Sequence, residues 1–245
     1  MSYSVFTHAE RPDLAERAAE GGDEVWPEYN RHGDVVNLHW RSMRVDHPEL
    51  QFVLYDEEAD ELVAEGHTVA IPWDGTEAGL PHGIDGIFDL AFGAEPKTAL
   101  CAMAAEIWPR HRGGGLATTL LELMGEVGRR HGYADLLACV RPSWKERYPL
   151  APIGEYAHWT RADGQPFDPW IRVHVRLGAE LMRPEPRSLR ISGTVAEWEE
   201  WTELPFPASG VYVFPHGLAT VAIDRDADIG VYYEPNVWLR HRLDR

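Results

Sequence analysis

The sequence predicts an α/β (α+β) fold, a mixed and mostly antiparallel central sheet flanked by helices, and three observations carry this prediction. Residues 51–55 and 61–72 are two apolar-rich runs joined by the acidic turn Asp56-Glu57-Glu58-Ala59-Asp60, the pattern of an antiparallel hairpin. Residues 99–140 read as strand, glycine turn, helix and strand, so one parallel crossover lies inside the sheet. Short extended runs at 179–184, 189–192, 211–214, 219–224 and 230–233 supply the remaining strands.

In chain order, residues 3–6 alternate as a short strand does, and 12–20 follow as a helix with Leu14, Ala18 and Ala19 on one face before Gly21-Gly22 ends it. The stretch 24–50 is mixed. A helix fits 35–43, Pro48 breaks it, and His39, Trp40 and Arg41 either line a pocket or pack in a capping helix. A loop rich in glycine, proline and acids spans 73–86, and 89–93 precedes another turn. Residues 99–108 form a near-continuous apolar strand interrupted only by Glu106, the pattern of a strand buried on both faces. Leu116, Leu120, Leu121, Met124 and Val127 make a helical stripe that stops at His131-Gly132, and 134–140 is again apolar and extended. After an irregular stretch, 142–167, Asp168-Pro169 starts a helix that ends at Gly178, and Thr194-Val195-Ala196-Glu197 is a capping box for a short helix to Trp201.

With 245 residues and 44% apolar content the chain, 1–245, reads as a single domain with a real core. Its net charge of −17 opposes DNA and an anionic membrane surface. Cys101 and Cys139 sit in apolar, strand-like runs and read as reduced core thiols. The stretch from Met1 to Asp13 has neither a basic flank nor an apolar core, and no apolar run approaches the roughly 18 residues that span a bilayer, so a cytoplasmic protein is expected.

Function is concentrated in Ile107-Trp108-Pro109-Arg110-His111-Arg112-Gly113-Gly114-Gly115-Leu116-Ala117-Thr118, a basic glycine turn that opens into a helix. Glycines let the backbone approach a ligand, and the helix start offers unpaired N–H groups and the positive end of its dipole, so the turn is an anion cradle. A nucleoside triphosphatase loop requires Lys and Ser or Thr after its last glycine, where this chain has Leu116-Ala117. A dinucleotide fingerprint requires a third glycine where Thr118 stands.

What matches is R/Q-x-x-G-x-G/A, as Arg112-Gly113-Gly114-Gly115-Leu116-Ala117, preceded by Ile107-Trp108-Pro109. It strongly resembles the acyl-CoA site of the GCN5-related N-acetyltransferase (GNAT) superfamily. The resemblance implies a GNAT-like sheet with acetyl-CoA or another acyl-CoA as co-substrate. It places the backbone of Ala105 and Ile107 beside the pantetheine arm, on a strand splayed from its neighbour at a bulge, and Arg112, Gly113, Gly114, Gly115, Leu116, Ala117 and Thr118 around the pyrophosphate. A further likeness lies in Trp170-Ile171-Arg172-Val173-His174-Val175-Arg176-Leu177-Gly178, where His174 stands at the position of the family's usual tyrosine acid. Two readings of His174 stand: a proton donor for the leaving thiolate, or a packed histidine on a helix face. The stretches 168–174 and 228–234 also resemble GNAT domains found alongside carbon–nitrogen hydrolases. The core then covers about 51–179 plus 228–235, with insertions at about 142–167 and 186–227.

Direct attack of an amine on a thioester requires a base, an oxyanion donor and an acid. Glu106, whose pKa burial would raise, is the candidate base, unless strand alternation turns it away from the substrate. A backbone N–H near Ala105 or Ile107 is the candidate oxyanion donor, and His111 is read as a solvated neighbour of the phosphates. Trp144, Lys145, Arg147 and Tyr148 concentrate aromatic and cationic groups, which suggests a small-molecule amine acceptor that bears a carboxylate; Lys145 and Arg147 as plain surface charges are the alternative. No metal is expected. The leading function is an acyl-CoA-dependent N-acyltransferase. A GNAT-fold transferase that draws on an acyl carrier protein or aminoacyl-tRNA, and a non-catalytic acyl-CoA-binding module, are the alternatives.

Overall fold

The computed structural model describes residues 3–21 and 25–244. Its strands are β1 (Ser4–Thr7), β2 (Gln51–Asp56), β3 (Glu61–Ile71), β4 (Ala99–Ile107), β5 (Asp135–Val140), β6 (Glu180–Gly193), β7 (Gly210–Tyr212), β8 (Val221–Asp224) and β9 (Ile229–Arg242). Its helices are α1 (Pro12–Gly21), α2 (Val36–Asp46), α3 (Gly83–Ala91), α4 (Leu116–Arg130), α5 (Ile153–Tyr156), α6 (Pro169–Arg176) and α7 (Val195–Thr202). All nine strands join one sheet in the order β1-β2-β3-β4-β5-β9-β8-β7, with β6 on the remaining edge of β9. Each pairing is antiparallel except β4–β5, which is parallel and bridged by α4. The mixed, mostly antiparallel sheet expected from the sequence is therefore the one found. No helix among the described residues is long and apolar enough to cross a membrane.

Two departures from a regular sheet position everything that follows. On β3 and β4, His67 faces Ala104 while Thr68 faces Ala102, which leaves Met103 as a bulge. The β4–β5 ladder begins at Leu100 and Leu136 and stops at Ala102 and Ala138. Beyond that point the strands part. Burial of β4 on both faces, as expected for all of 99–108, therefore holds only as far as Cys101, and Met103, Ala105 and Ile107 are partly exposed.

The faces of the sheet are covered by different helices. α4 and α6 cover one, with Leu120, Leu121 and Met124 of α4 against Phe52 and Leu54 of β2. α2 and α3 cover the other, where Met43, Ile87 and Phe88 pack with Val69 and Trp238. α7, β7 and β8 close the far end around Trp198 and Tyr232. Cys101 and Cys139 are free and buried. The capping box of α7 forms as read, with Thr194 and Glu197 each bonded to the other's backbone N–H.

Two elements differ from the sequence reading. The loop expected over 73–86 turns at Gly83 into α3. This helix starts so close to β6 that a Cβ on Gly83 would lie 2.1 Å from the Ser188 Cα, so only glycine fits there, and its φ of +62° is one that glycine adopts without strain. β9 continues past the expected end at residue 233 to Arg242, through Pro235. Proline is tolerated because β5 pairs with 237–242 and β8 with 229–231 on one edge, so neither strand calls on an N–H at position 235.

α6 is held by Asp168, whose carboxylate accepts the N–H groups of Trp170 and Ile171 at its N-terminus together with that of Trp144 and the hydroxyl of Tyr156. Its inner face sets His174 Nδ1 2.9 Å from His241 Nε2 on β9. Burial pushes His174 down to about 3, the neighbouring His241 adding to the effect, and pushes His241 down to about 4. In the unfolded chain both imidazoles titrate near 6.5, so between pH 6.5 and the folded values the unfolded state binds more protons and stability falls as pH falls. Unfolding measured in urea at pH 7 and pH 5 is therefore expected to show a loss of about 2 kcal/mol per imidazole, and His174→Phe should reduce that pH dependence.

Candidate active site

Where β4 and β5 part, a cleft of about 1060 Å³ runs through the sheet. The second half of β4, from Ala102 to Ile107, forms one wall, and Ala138 to Arg141 forms the other. On one face it is covered by a helical stripe of α2, Asn37, Trp40, Arg41 and Arg44, at the i, i+3, i+4, i+7 spacing. On the other it reaches Ala117, Leu121, Trp170 and His174. The backbone of β4 beyond Ala102 has lost its β5 partner and is presented to the cleft.

The glycine turn stands at the mouth on the α4 side. Gly113 and Gly115 have φ of +108° and +81°, and a Cβ at Gly113, Gly114 or Gly115 would meet nothing within 4 Å, so the loop is an open concavity. The Gly115 N–H is used within the loop, on Gly113 O at 2.8 Å. Those of Gly113, Gly114, Leu116 and Ala117 have no acceptor among the described residues. Arg112 donates its Nε to Ile107 O at 3.2 Å, which folds its side chain along the end of β4. Such a ring of free N–H groups at a helix start suits a diphosphate.

On the α2 face, Glu65 and Glu106 are register partners on β3 and β4, and His67 follows on the same side of β3. Glu106 is 5% exposed and accepts Trp26 Nε1–H at 2.7 Å. Burial raises its pKa, and the Glu65 charge adds to this against the opposing pull of His67 and Trp26. Glu65 behaves oppositely: burial works against its ionisation, but His67, His8 and Arg44 outweigh it and hold the carboxyl well below the usual range. The proton inventory of the cluster follows from Gln51. Its Oε1 accepts the Thr68 N–H while its Nε2 donates to Thr68 O and His47 O, so the amide orientation is fixed. His67 Nδ1, 3.1 Å from that Oε1, must donate. His67 Nε2 then turns toward Glu65 Oε2 at 3.4 Å and toward Glu106, with ligand atoms of all three within 4.8 Å of one another. Acceptors at this spacing require a shared proton between them, and the raised Glu106 is the carboxyl that holds or releases it. The trio is near enough to coordinate a metal, but Arg44, 3.1 Å from Glu65, fixes a positive charge beside it, and we read the cluster as one that handles protons.

On the opposite face His174 is 1% exposed, edge-on to Trp170, and its Nε2 meets no partner among the described residues. With its pKa pushed down to about 3 it is neutral at neutral pH. It donates a proton toward the cleft only in the tautomer whose Nδ1 accepts from His241 Nε2, so the pair forms a two-imidazole line.

Of the residues proposed from the sequence, Ala105, Glu106, Ile107, Arg112, Ala117 and His174 line the cleft, and Gly113, Gly114, Gly115, Leu116 and Thr118 form the loop and helix start at its mouth. Glu106 faces α2 and lines the cleft. His111 lies 3.4 Å from Glu61 beside the loop. The segment assigned to the acceptor needs correction: Trp144, Lys145, Arg147 and Tyr148 do not line the cleft, whereas Ser143 and Glu146 do. Lys145 is buried behind it, donating to Tyr148 O and Leu218 O, and burial pushes it down to about 8. Arg147 stacks on Trp144 at 4.8 Å, and Tyr148 packs with Trp159 and Phe167. The segment's cations and aromatics are thus spent on its own packing. Sequence reasoning missed Trp26, Arg44, Glu65 and His67. The available signal was Glu65-Gly66-His67, two ionisable side chains on one face of a strand buried along nearly all its length.

No family model matches the chain. It is 28% identical over 276 aligned residues to an arginine N-acetyltransferase, avaD, of Aspergillus versicolor, covering 98% of this chain and 94% of that one. Among solved structures it is similar to the loading GNATL domain of CurA from Lyngbya majuscula, with a TM-score of 0.64 and 17% identity over 99% of this chain and 98% of that one. It is also similar to the GphF GNAT-like decarboxylase solved with isobutyryl-CoA, with a TM-score of 0.57 and 17% identity over 98% and 99%. With the parted β4–β5 pair and the glycine turn already in place, these likenesses show that the chain has a GNAT-like fold.

Proposed function

We propose that the chain is an acyl-CoA-dependent N-acetyltransferase that moves the acyl group directly to a small amine, with arginine or a similar carboxylate-bearing amine as acceptor. The observation that carries this reading is a single cleft through the sheet with free backbone N–H groups at one mouth, a carboxylate–imidazole cluster on one face and a histidine pair on the other. The arginine acceptor is supported by the name of the Aspergillus versicolor relative. Acetyl-CoA supplies the thioester. Gly113, Gly114, Leu116 and Ala117 would hold its diphosphate, and the unpaired edge of β4, Ala105 and Ile107 included, would hold its arm.

Each proton then has a route. Glu106, ionised, removes the ammonium proton and passes it within the trio with His67 and Glu65. As the amine nitrogen bonds to the acyl carbon, a freed backbone N–H of β4 faces the developing oxyanion. As the carbon–sulfur bond breaks, the Nε2–H of His174 donates a hydrogen bond to the sulfur, and the departing thiolate takes a proton from solvent while the ammonium proton leaves the trio to solvent. The Nε2–H of His241, bonded to His174 Nδ1, fixes the tautomer that presents the His174 Nε2–H to the cleft. Arg41, on the cleft side of α2, is placed to meet the acceptor's carboxylate. The stretches 142–167 and 186–227, as insertions around the core, would set acceptor identity, since Glu146 and His216 reach the cleft from them. We do not extend the reading to a carbon–nitrogen hydrolase partner. Capping of α6 by Asp168 and the β9 wall of the cleft account for the stretches that carry that likeness.

Two measurements test the reading. Calorimetry with coenzyme A should show binding that Gly115→Asp weakens at least 100-fold. Asp tolerates the left-handed backbone there but sets a carboxylate against the diphosphate. Undiminished affinity would remove the loop from the site, and binding of acetyl-CoA with no thiol release across an amine panel would leave a binding module. For the base, kcat/KM should rise with pH through an apparent pKa above the ordinary carboxylate range, because the ionised form is the active one and burial raises Glu106. Glu106→Gln should lower kcat by about 10²- to 10⁴-fold and abolish that limb; an unchanged profile would assign it to another group.

A further inference from the structure

Between its pairings with β8 and β5, β9 runs along one edge with no neighbour over residues 232–236. Two side chains of this gap, Glu234 and Asn236, line the cleft. They lie on the same face of β9 as Tyr232 and Trp238, the α2–α3 face that also holds Glu106 and His67. The Oε2 of Glu234 is saturated: it receives Asn30 Nδ2 at 3.0 Å, Arg141 Nε at 3.2 Å, Tyr29 Oη at 3.3 Å and Tyr232 Oη at 3.5 Å. Its other oxygen has no donor among the described residues. Asn236 is 2% exposed, and its Nδ2 donates to Cys139 O at 3.2 Å, which fixes the amide. The Asn236 Oδ1 is thereby turned to the side away from Cys139 O, buried and without a donor among the described residues. Buried acceptors of this kind are rare in folded proteins because each costs about 1–3 kcal/mol. Glu146 adds a second carboxylate to the cleft, held by His216. Arg141 balances one of the two negative charges and is tied to Tyr29 Oη and His216 O.

We infer that Asn236 Oδ1 and the free oxygen of Glu234 form the site for a guanidinium group on the acceptor, and that the acetylated nitrogen is the acceptor's α-amine, held at Glu106. The inference rests on the transferase reading above. Glu106 on β4 and Asn236 on β9 have β5 between them, a span of about 10 Å from two strand spacings, widened where β4 and β5 part. An acceptor that reaches both must carry its cation several bonds from its amine, as arginine does. The division of roles follows from acidity. A guanidinium stays protonated wherever a carboxylate can act as base, whereas an α-ammonium can be deprotonated. The reaction forms an amide N–C bond at the α-nitrogen, breaks the C–S bond, and leaves the guanidinium unmodified.

The test compares arginine with citrulline, which has the same length but an uncharged urea, using the purified full chain and acetyl-CoA. We expect kcat/KM to favour arginine at least 100-fold, with fragmentation of the product placing the acetyl group on the α-nitrogen. Asn236→Leu should raise the KM for arginine at least 10-fold, leave citrulline within 3-fold and leave the KM for acetyl-CoA unchanged. Asn236→Asp should bind arginine more tightly than the parent, an order that a merely structural asparagine would not give. Equal use of the two acceptors, or a loss on Asn236→Leu that is the same for both, would overturn the assignment. If no amine is acetylated, calorimetry on the coenzyme A-loaded protein separates the two ideas. Arginine binding that citrulline lacks and Asn236→Leu removes would sustain the site while the transferase reading falls, and no arginine binding would end both.

Discussion

The cleft exists because β4 cannot follow β5 beyond Ala102. Parallel pairing requires matched spacing on both strands, and the bulge at Met103, imposed from the β3 side, re-aims β4 one residue after the last paired position. The consequence is a strand whose first half is core and whose second half is a ligand wall. The β4 edge that β5 leaves open over 103–107 faces the cleft and offers its backbone groups to an extended ligand. The same parting leaves Arg141 and the β9 gap open to the cleft on the opposite wall. One register slip thus generates together the unpaired β4 edge, the cleft face of the Glu106 cluster and the open β9 gap, where the proposed reaction would put coenzyme, base and acceptor.

The sheet also separates two kinds of proton chemistry. On the α2 face, Glu65 is held ionised by His67, His8 and Arg44 while Glu106 is driven the other way by burial, so two adjacent carboxylates are pushed in opposite directions. On the α4–α6 face, two histidines are held neutral by burial and linked to one another. A carboxylate base and a neutral hydrogen-bond donor for the leaving sulfur would satisfy each other if they touched. In the proposed reaction the thioester would run between them, in the plane of the sheet, which would keep them apart and give each access to its own side of the reacting carbon.

Much of this was legible in the chain. The glycine turn and its arginine pointed to the proposed coenzyme site, because a close backbone approach leaves a compositional trace that few other constraints produce. Glu106 stood out as the only charge in an apolar strand. What the sequence hid was anything set by pairing across distance. The β4–β5 parting is a property of two registers at once, and α3 is a short helix whose glycines disguised it as loop. Pro235 masked the most heavily paired strand of the sheet. The acceptor segment misled for a related reason: Trp144, Tyr148, Trp159 and Phe167 pack on one another, and neither composition nor spacing distinguishes a self-packed aromatic cluster from one that lines a pocket.

The charge of the chain bears on the two substrates in opposite ways. A net charge of −17 would draw the proposed cationic acceptor toward the cleft and would repel a coenzyme that carries several phosphates. The loop's own cations do not reverse this field, because Arg110 and His111 face Glu61 at 3.3 and 3.4 Å and Arg112 is folded back on Ile107 O. Capture of the coenzyme must then rest on short-range contacts, the free N–H groups of the loop and of the first turn of α4, which salt screens far less than it screens a long-range field. The acceptor end needs no such device, since the field of the whole molecule and the carboxylates of Glu234 and Glu146 act in the same direction there. An acidic protein with a backbone-built anion site is in this sense a consistent design for a reaction between an anionic donor and a cationic acceptor.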